Sequence, residues 1–366
     1  ELGVNGDSDG IIELPDDAPL GTSYIEYADL NDPVIEIAIT PNRGDCLGVR
    51  GIARDLSAAS IGRMKPLDTS ECKGEFDSPI HWALSPDAVE IVPRVTGRYF
   101  QDVANKSSPE WMARRLISIG QRPISALVDI TNYIMIDLGR PLHAFDADKI
   151  RGDTLFIRRA NAGEKILALN EKEYECTPDM LVIGDRDGAD DIAGIMGGER
   201  TGITDDTQNL FLEIAIFDPI SVAATGRTLN INSDARYRFE RGLDGESPDL
   251  LSGYIARFVQ SICGGKISRE VSVGAGVAWQ RCVYFNPELT QQLTGIELAH
   301  PQQRQILNEL GFIIEPGEDK TWNVTPPAWR NDIDGQADLV EEIIRVAGYD
   351  HLGHKIQQTF QPLLFV

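Results

Sequence analysis

The chain has 366 residues, 42% hydrophobic and 25% charged, which suits two or three domains with proper cores and excludes disordered and fibrous classes. Its formal net charge of −23 excludes a general nucleic-acid binder, because polyanions select basic surfaces and draw affinity from counterion release. No apolar run reaches the roughly 18 to 20 residues of a membrane span, no leader-like segment opens the chain, and the five cysteines are scattered without a C-x-x-C pair; a soluble, cytoplasmic protein without a disulfide framework, zinc site or membrane contact is expected.

Residues 1–21 are rich in Gly, Asp and Pro and begin without Met, the texture of an excised piece. The apolar run at 34–39 predicts a strand, with the turn Thr40 to Cys46 after it. Val49, Ile52 and Leu56 recur at helical spacing and predict a helix over 48–59, while 60–95 reads as irregular. Ser108-Pro109-Glu110 offers an N-cap, a first-turn proline and an acid for a helix striped by Met112, Leu116 and Ile119. A second helix is predicted over 125–138, stopped by Gly139, with Thr131 and Asn132 near its middle. From 154 to 217 the texture becomes sheet-rich, with β-like runs at 155–157, 166–169, 180–183 and 210–217. A polar stretch over 230–244 precedes a helix at 250–262, and from about 281 onward mixed helices and strands form a third unit.

Chemistry-bearing residues concentrate between Asp129 and Asp146, where His143 stands out because only His81 accompanies it in the first 299 positions. An imidazole satisfied by neighbouring backbone is the plain alternative. Glu213 interrupts the apolar run Leu210 to Phe217, so it either faces a pocket, a donor or water, or lies on the solvated side of a half-exposed strand. Ile192 to Gly198 offers small residues where backbone can approach a ligand, or simply a tight turn. On a helix over 338–346, Leu339, Ile343 and Val346 share the buried face, whereas Asp338, Glu341, Glu342 and Arg345 align on the other. With Asp332, those acids suit a divalent hard cation or a basic partner, or else a helix N-terminus that favours acids. Arg236, Arg238 and Arg241 interleave with Tyr237 and Phe239, either as a local patch for phosphate or an unstacked base, or as a solvated loop. Phosphate-loop, nucleophile-elbow and H-E-x-x-H motifs are absent.

Six blocks in order resemble the bacterial phenylalanine–tRNA synthetase β-subunit family: Ile39-Thr-Pro-Asn-Arg-Gly-Asp-Cys46, Val128-Asp-Ile-Thr-Asn-Tyr133, Gly139-Arg-Pro-Leu-His-Ala-Phe-Asp146, Met196-Gly-Gly-Glu199, Arg238-Phe-Glu-Arg-Gly-Leu-Asp244 and Asp338-Leu-Val-Glu-Glu-Ile-Ile-Arg345. The resemblance covers essentially the whole chain. It implies an α+β, multidomain internal fragment: a junction region over 1–75 after a tRNA-binding oligonucleotide-fold domain, a sheet-rich editing domain with flanking helices over 76–280, a small α+β DNA-binding-like domain over 281–356, and a linker over 357–366.

By the same resemblance the chain is expected to serve post-transfer editing, the hydrolysis of Tyr-tRNA(Phe), within phenylalanine–tRNA ligase. Activation, with its use of ATP, falls to the α subunit of an α2β2 heterotetramer that also binds tRNA(Phe). His143 and Thr131 are assigned to positioning the terminal ribose and the attacking water, and Asn132, Ala193 and Glu213 to the substrate pocket, with Glu213 meeting the tyrosine hydroxyl. Asp332, Asp338, Glu341 and Glu342 are expected to hold Mg2+ in the holoenzyme. The alternative is a non-catalytic structural and tRNA-docking module with weak or lost editing.

Overall fold

The computed structural model describes residues 14, 16–28 and 31–351. The expected linker over 357–366 and the start of the expected junction region lie outside the described residues. The architecture is α+β, built on two sheets that face each other and a third, smaller sheet further along the chain.

A five-stranded sheet runs in the order Lys266–Ile267, Arg94–Gln101, Leu210–Ile216, His143–Asp146, with Val271–Val273 also paired to Arg94–Gln101. A four-stranded sheet runs His81–Leu84, Thr154–Arg159, Leu181–Asp185, Gly188–Ile192. Strand side chains alternate between faces, and that period of two divides the first sheet's residues between two cores. Val95, Phe145, Phe211 and Ala215 pack toward the four-stranded sheet, meeting Trp82, Leu155, Val182 and Ile183. Ala144, Leu210, Leu212 and Ile214 point the other way, against Met112, Leu127, Ile130, Ile134 and Ile255 of the helices Glu110–Ser118, Ala126–Leu138 and Ser247–Cys263.

Local chemistry sets the element ends. Gly139 closes Ala126–Leu138 in the left-handed region at φ 70°, which a glycine adopts without Cβ strain. Asp218 caps the helix Pro219–Thr228 by accepting from the Ser221 N–H at 2.7 Å. The third unit joins the strands Val283–Phe285, Ile313–Pro316 and Trp322–Thr325 to the helices His300–Glu309 and Gln336–Ala347 around Phe285, Leu307, Val324, Leu339 and Ile343. Ala58, from the helix Val49–Ala58, belongs to this core as well, so the N-terminal segment is packed onto the unit that follows.

Several expectations are corrected. The run at 34–39 forms no strand; Val34, Ile35 and Ile37 are exposed, and strand propensity without a partner ladder does not make a strand. The stretch 60–95 holds the strand His81–Leu84 and the start of Arg94–Gln101. Pro109 is the cap residue of Glu110–Ser118, and Ser108 gives its hydroxyl to the Asp129 carboxylate instead of capping. The polar stretch over 230–244 contains the helix Asp234–Phe239, whose Arg236 and Arg238 are buried rather than solvated. Arg238 donates to the Leu47 carbonyl at 3.0 Å and Arg236 to Asn232 at 3.0 Å, so both serve the fold. Among the described residues no helix is long and apolar enough to cross a membrane.

Candidate functional site

His143 opens its strand directly after the turn that Gly139 begins, and in the ladder it stands opposite Glu213. Both side chains therefore leave the sheet on the same face, toward the four-stranded sheet. Opposite them, the end of Gly188–Ile192 supplies Asp191, and the segment from Ala193 to Gly197 turns beneath the imidazole. Pro141, Leu142, His143, Asp191, Ala193, Met196, Gly197, Glu213 and Phe239 line one cavity of about 70 Å³.

The ring of His143 is held from several sides. It packs edge to face on Phe145 with centroids 4.4 Å apart, a geometry that aromatic edges and faces favour. Its Cε1 and Nδ1 edge lies against Gly197, where an added Cβ would come within 2.3 Å and 3.0 Å of those atoms. Its Nε2 lies 3.3 Å from Asp191 Oδ2, and the other Asp191 oxygen accepts from the Gly198 N–H at 2.6 Å.

Three buried polar atoms here have no hydrogen-bond partner among the described residues: His143 Nε2, Asp191 Oδ2 and Glu213 Oε2. Leaving such a group unsatisfied costs about 1–3 kcal/mol, so three in one cavity mark a place that ligand or water completes. Burial pushes Glu213 up to about 8, partly offset by Arg140, and drives His143 down to about 4. Asp191 is raised well above the usual carboxylate range, first by burial and then by the neighbouring Asp190. A neutral imidazole and two reluctant carboxylates in one cleft are an acid–base constellation.

Of the residues the sequence picked out, the structure brings His143, Ala193 and Glu213 together. Thr131 and Asn132 are not among the cavity's lining residues. Their helix packs by Leu127, Ile130 and Ile134 against Ala144, Leu212 and Ile214, the sheet face opposite to His143 and Glu213, and Thr131 returns its hydroxyl to the Val128 carbonyl at 2.7 Å. Asp191 was missed by sequence reasoning. Its signal was a paired acid, Asp190-Asp191, immediately before the small-residue run that begins at Ile192.

The acidic set in the third unit does not assemble as a cation cage. Glu342 turns inward, 2% exposed, with Arg345 donating at 2.7 Å and Arg330 bonded to the same oxygen. Burial alone would raise Glu342, but the hydrogen bonds from Arg345 and Arg330 outweigh it and hold the group near 2. Asp332 is clasped by Arg330 at 2.8 and 2.9 Å, Asp338 caps Gln336–Ala347 by accepting from the Gly335 N–H at 2.9 Å, and Glu341 is exposed. Arg345 also reaches Asp55 at 2.8 Å. Among the described residues no group of three or more His, Cys, Asp or Glu side chains is placed to hold a metal ion. Guanidinium forks already fill the oxygens of Glu342 and Asp332, so the residues expected to hold magnesium do not fit the ion as they are arranged in this chain.

Comparison with known proteins agrees with the block pattern. A family described as the B3/4 domain matches residues 91–264, and one described as the tRNA synthetase B5 domain matches residues 283–349. The phenylalanine–tRNA ligase beta subunit of Cereibacter sphaeroides is 48% identical over 356 residues, 97% of this chain and 44% of that protein. That of Mesorhizobium japonicum is 46% identical over 352 residues, 96% of this chain and 43% of that protein. The chain thus spans less than half the length of these relatives. A crystal structure of an N-terminal fragment of the phenylalanyl-tRNA synthetase beta-subunit from Pyrococcus horikoshii matches 85% of this chain and 86% of its own, at 18% identity and a TM-score of 0.43, too distant to carry an argument.

Proposed function

The chain belongs to the phenylalanine–tRNA ligase beta-subunit family, and from that premise we propose that its buried cavity is a post-transfer editing site that hydrolyses tyrosine from wrongly charged tRNA(Phe). The observation that carries the reading is Glu213 Oε2, buried and unpartnered in the wall of a cavity that is otherwise largely apolar. Tyrosine differs from phenylalanine by one phenolic hydroxyl. A hydrophobic pocket rejects an added hydroxyl only about a hundredfold, whereas a site with a polar group waiting for it discriminates far more strongly. Glu213 accepts that hydroxyl, and a phenylalanyl ring would leave it unpaired.

Ala193 keeps the wall opposite short, and His143 takes the proton of a water attacking the ester carbonyl. Products are free tyrosine and tRNA with its terminal hydroxyl restored. In the proposed setting, amino-acid activation with ATP belongs to an α subunit in an α2β2 assembly. Because the charge of −23 opposes a polyanion, tRNA(Phe) is held mainly by parts of the assembly other than this chain. No step is assigned to magnesium.

Two observations favour the second reading, a structural and docking module with weak or lost editing. The cavity holds only about 70 Å³, small for a tyrosyl ring. Thr131 and Asn132 also stand outside it. The experiment that decides is tyrosine challenge of the assembled ligase. With His143→Ala or Glu213→Ala, Tyr-tRNA(Phe) accumulates under the editing reading; equal, unedited accumulation in the wild type and both variants supports the module reading.

A further inference from the structure

We propose that Asp191 is the positioning residue of this site: it fixes the His143 ring through Nε2 and makes the opposite nitrogen, Nδ1, the atom that accepts the proton from water. This inference rests on the editing reading for its reaction, but its geometry stands alone. Asp191 Oδ2 lies 3.3 Å from His143 Nε2, within ion-pair reach although neither atom has a hydrogen-bond partner among the described residues, and Asp191 is itself anchored by the Gly198 N–H at 2.6 Å. The other edge of the ring, carrying Cε1 and Nδ1, lies against Gly197 in the cavity wall. An imidazole whose far nitrogen is held by a carboxylate has its tautomer and orientation set, and the imidazolium formed on taking a proton is stabilised.

The groups that face His143 are few. Asp191 comes from the strand Gly188–Ile192 and Glu213 from the strand Leu210–Ile216. Behind Asp191 stand Asp190 and Arg200, which lie 3.5 Å apart. Arg140, fully buried, hydrogen-bonds Ser247 at 2.9 Å and acts on Glu213 through space. No cation touches the Asp191 and His143 pair directly among the described residues.

The reaction balances within that pair. With Nε2 carrying a proton and facing Asp191, Nδ1 takes a proton as a water O–H bond breaks and the water oxygen bonds to the ester carbonyl carbon. The ester C–O bond then breaks, and the proton on Nδ1 passes to the ribose oxygen that leaves.

The test has two arms. In the first, His143 is titrated by NMR in histidine-labelled protein, wild type against Asp191→Asn and Asp191→Ser. The proposal expects the proton affinity of His143 to fall about tenfold or more in both variants; an unmoved midpoint in the variant that folds overturns it. In the second arm, the pH profile of Tyr-tRNA(Phe) deacylation is measured in the assembled full-length ligase. Asp191→Asn is expected to lower the plateau about 10- to 100-fold and to move the rising limb to lower pH, and Asp191→Glu to recover part of the rate. A full wild-type rate and profile in Asp191→Asn overturns the positioning role while the editing reading stands. A shifted His143 midpoint with no deacylation by the wild type supports the pair and sinks the editing reading.

Discussion

His143 and Glu213 are register partners on adjacent antiparallel strands, so one backbone ladder places an imidazole and a carboxyl side by side on the same face of the sheet. Neither depends on loop geometry for its position. The strands are flanked by Phe145 and Phe211, both fully buried, and this packing holds the two functional groups at a fixed separation. What varies across the cleft is the turn from Ala193 to Gly197, which supplies the opposing wall.

Gly197 is the wall's most sensitive point. An alanine there would drive its Cβ into His143 Cε1 at 2.3 Å, so Gly197→Ala is expected to turn the ring away from Asp191. The predicted outcome is a folded protein destabilised by about 1–3 kcal/mol, typical of overpacking, with deacylation reduced far more than stability. Calorimetry and a deacylation assay on the same preparation check it; a variant with full editing rate would show that the ring's placement is immaterial.

Glu213 has its folded-state constant raised from 4.5 to about 8, so between those values the native state holds a proton that the unfolded chain has released. Stability from this group is fully present below the unfolded value and is lost as pH rises through about 8. Glu213→Gln, a permanent neutral mimic, should therefore gain on the wild type as pH climbs from mildly acidic to mildly basic, by up to about 1.4 kcal/mol per pH unit. Urea melts of both proteins across that range provide the measurement, and parallel curves would contradict it.

The arginine clasp around Glu342 predicts independence from divalent metal. Adding a chelator or excess magnesium should leave the thermal midpoint of this chain unchanged, because Arg330 and Arg345 already occupy the Glu342 oxygens. Arg330→Met, by contrast, strands a buried carboxylate and should cost about 3–5 kcal/mol. A chelator effect as large as that of Arg330→Met would refute the assignment.

Much of this arrangement was legible in the sequence where local signals dominate. The helix Ala126–Leu138 follows from its apolar spacing and from Gly139, and the strand Leu210–Ile216 from an apolar run interrupted by Glu213. The illegible parts depend on partners far along the chain. Arg238 looks like a solvated charge until the Leu47 carbonyl is brought to it, and Glu342 looks like an outward acid until Arg330 folds back over it. Asp191 was passed over because its contact with His143 comes from a strand far away in sequence. The pocket roles of Thr131 and Asn132 came from resemblance alone, and their helix packs on the sheet face opposite to His143.

The most direct test of the central claim is the deacylation of preformed Tyr-tRNA(Phe) against Phe-tRNA(Phe) by the assembled full-length ligase, wild type and Glu213→Ala. The wild type is expected to clear the tyrosyl ester much faster than the phenylalanyl ester, and Glu213→Ala to erase the preference, since the unpartnered Glu213 Oε2 proposed to meet the phenolic hydroxyl has been removed. Equal rates on both esters in the wild type, or an undiminished preference in Glu213→Ala, would contradict it.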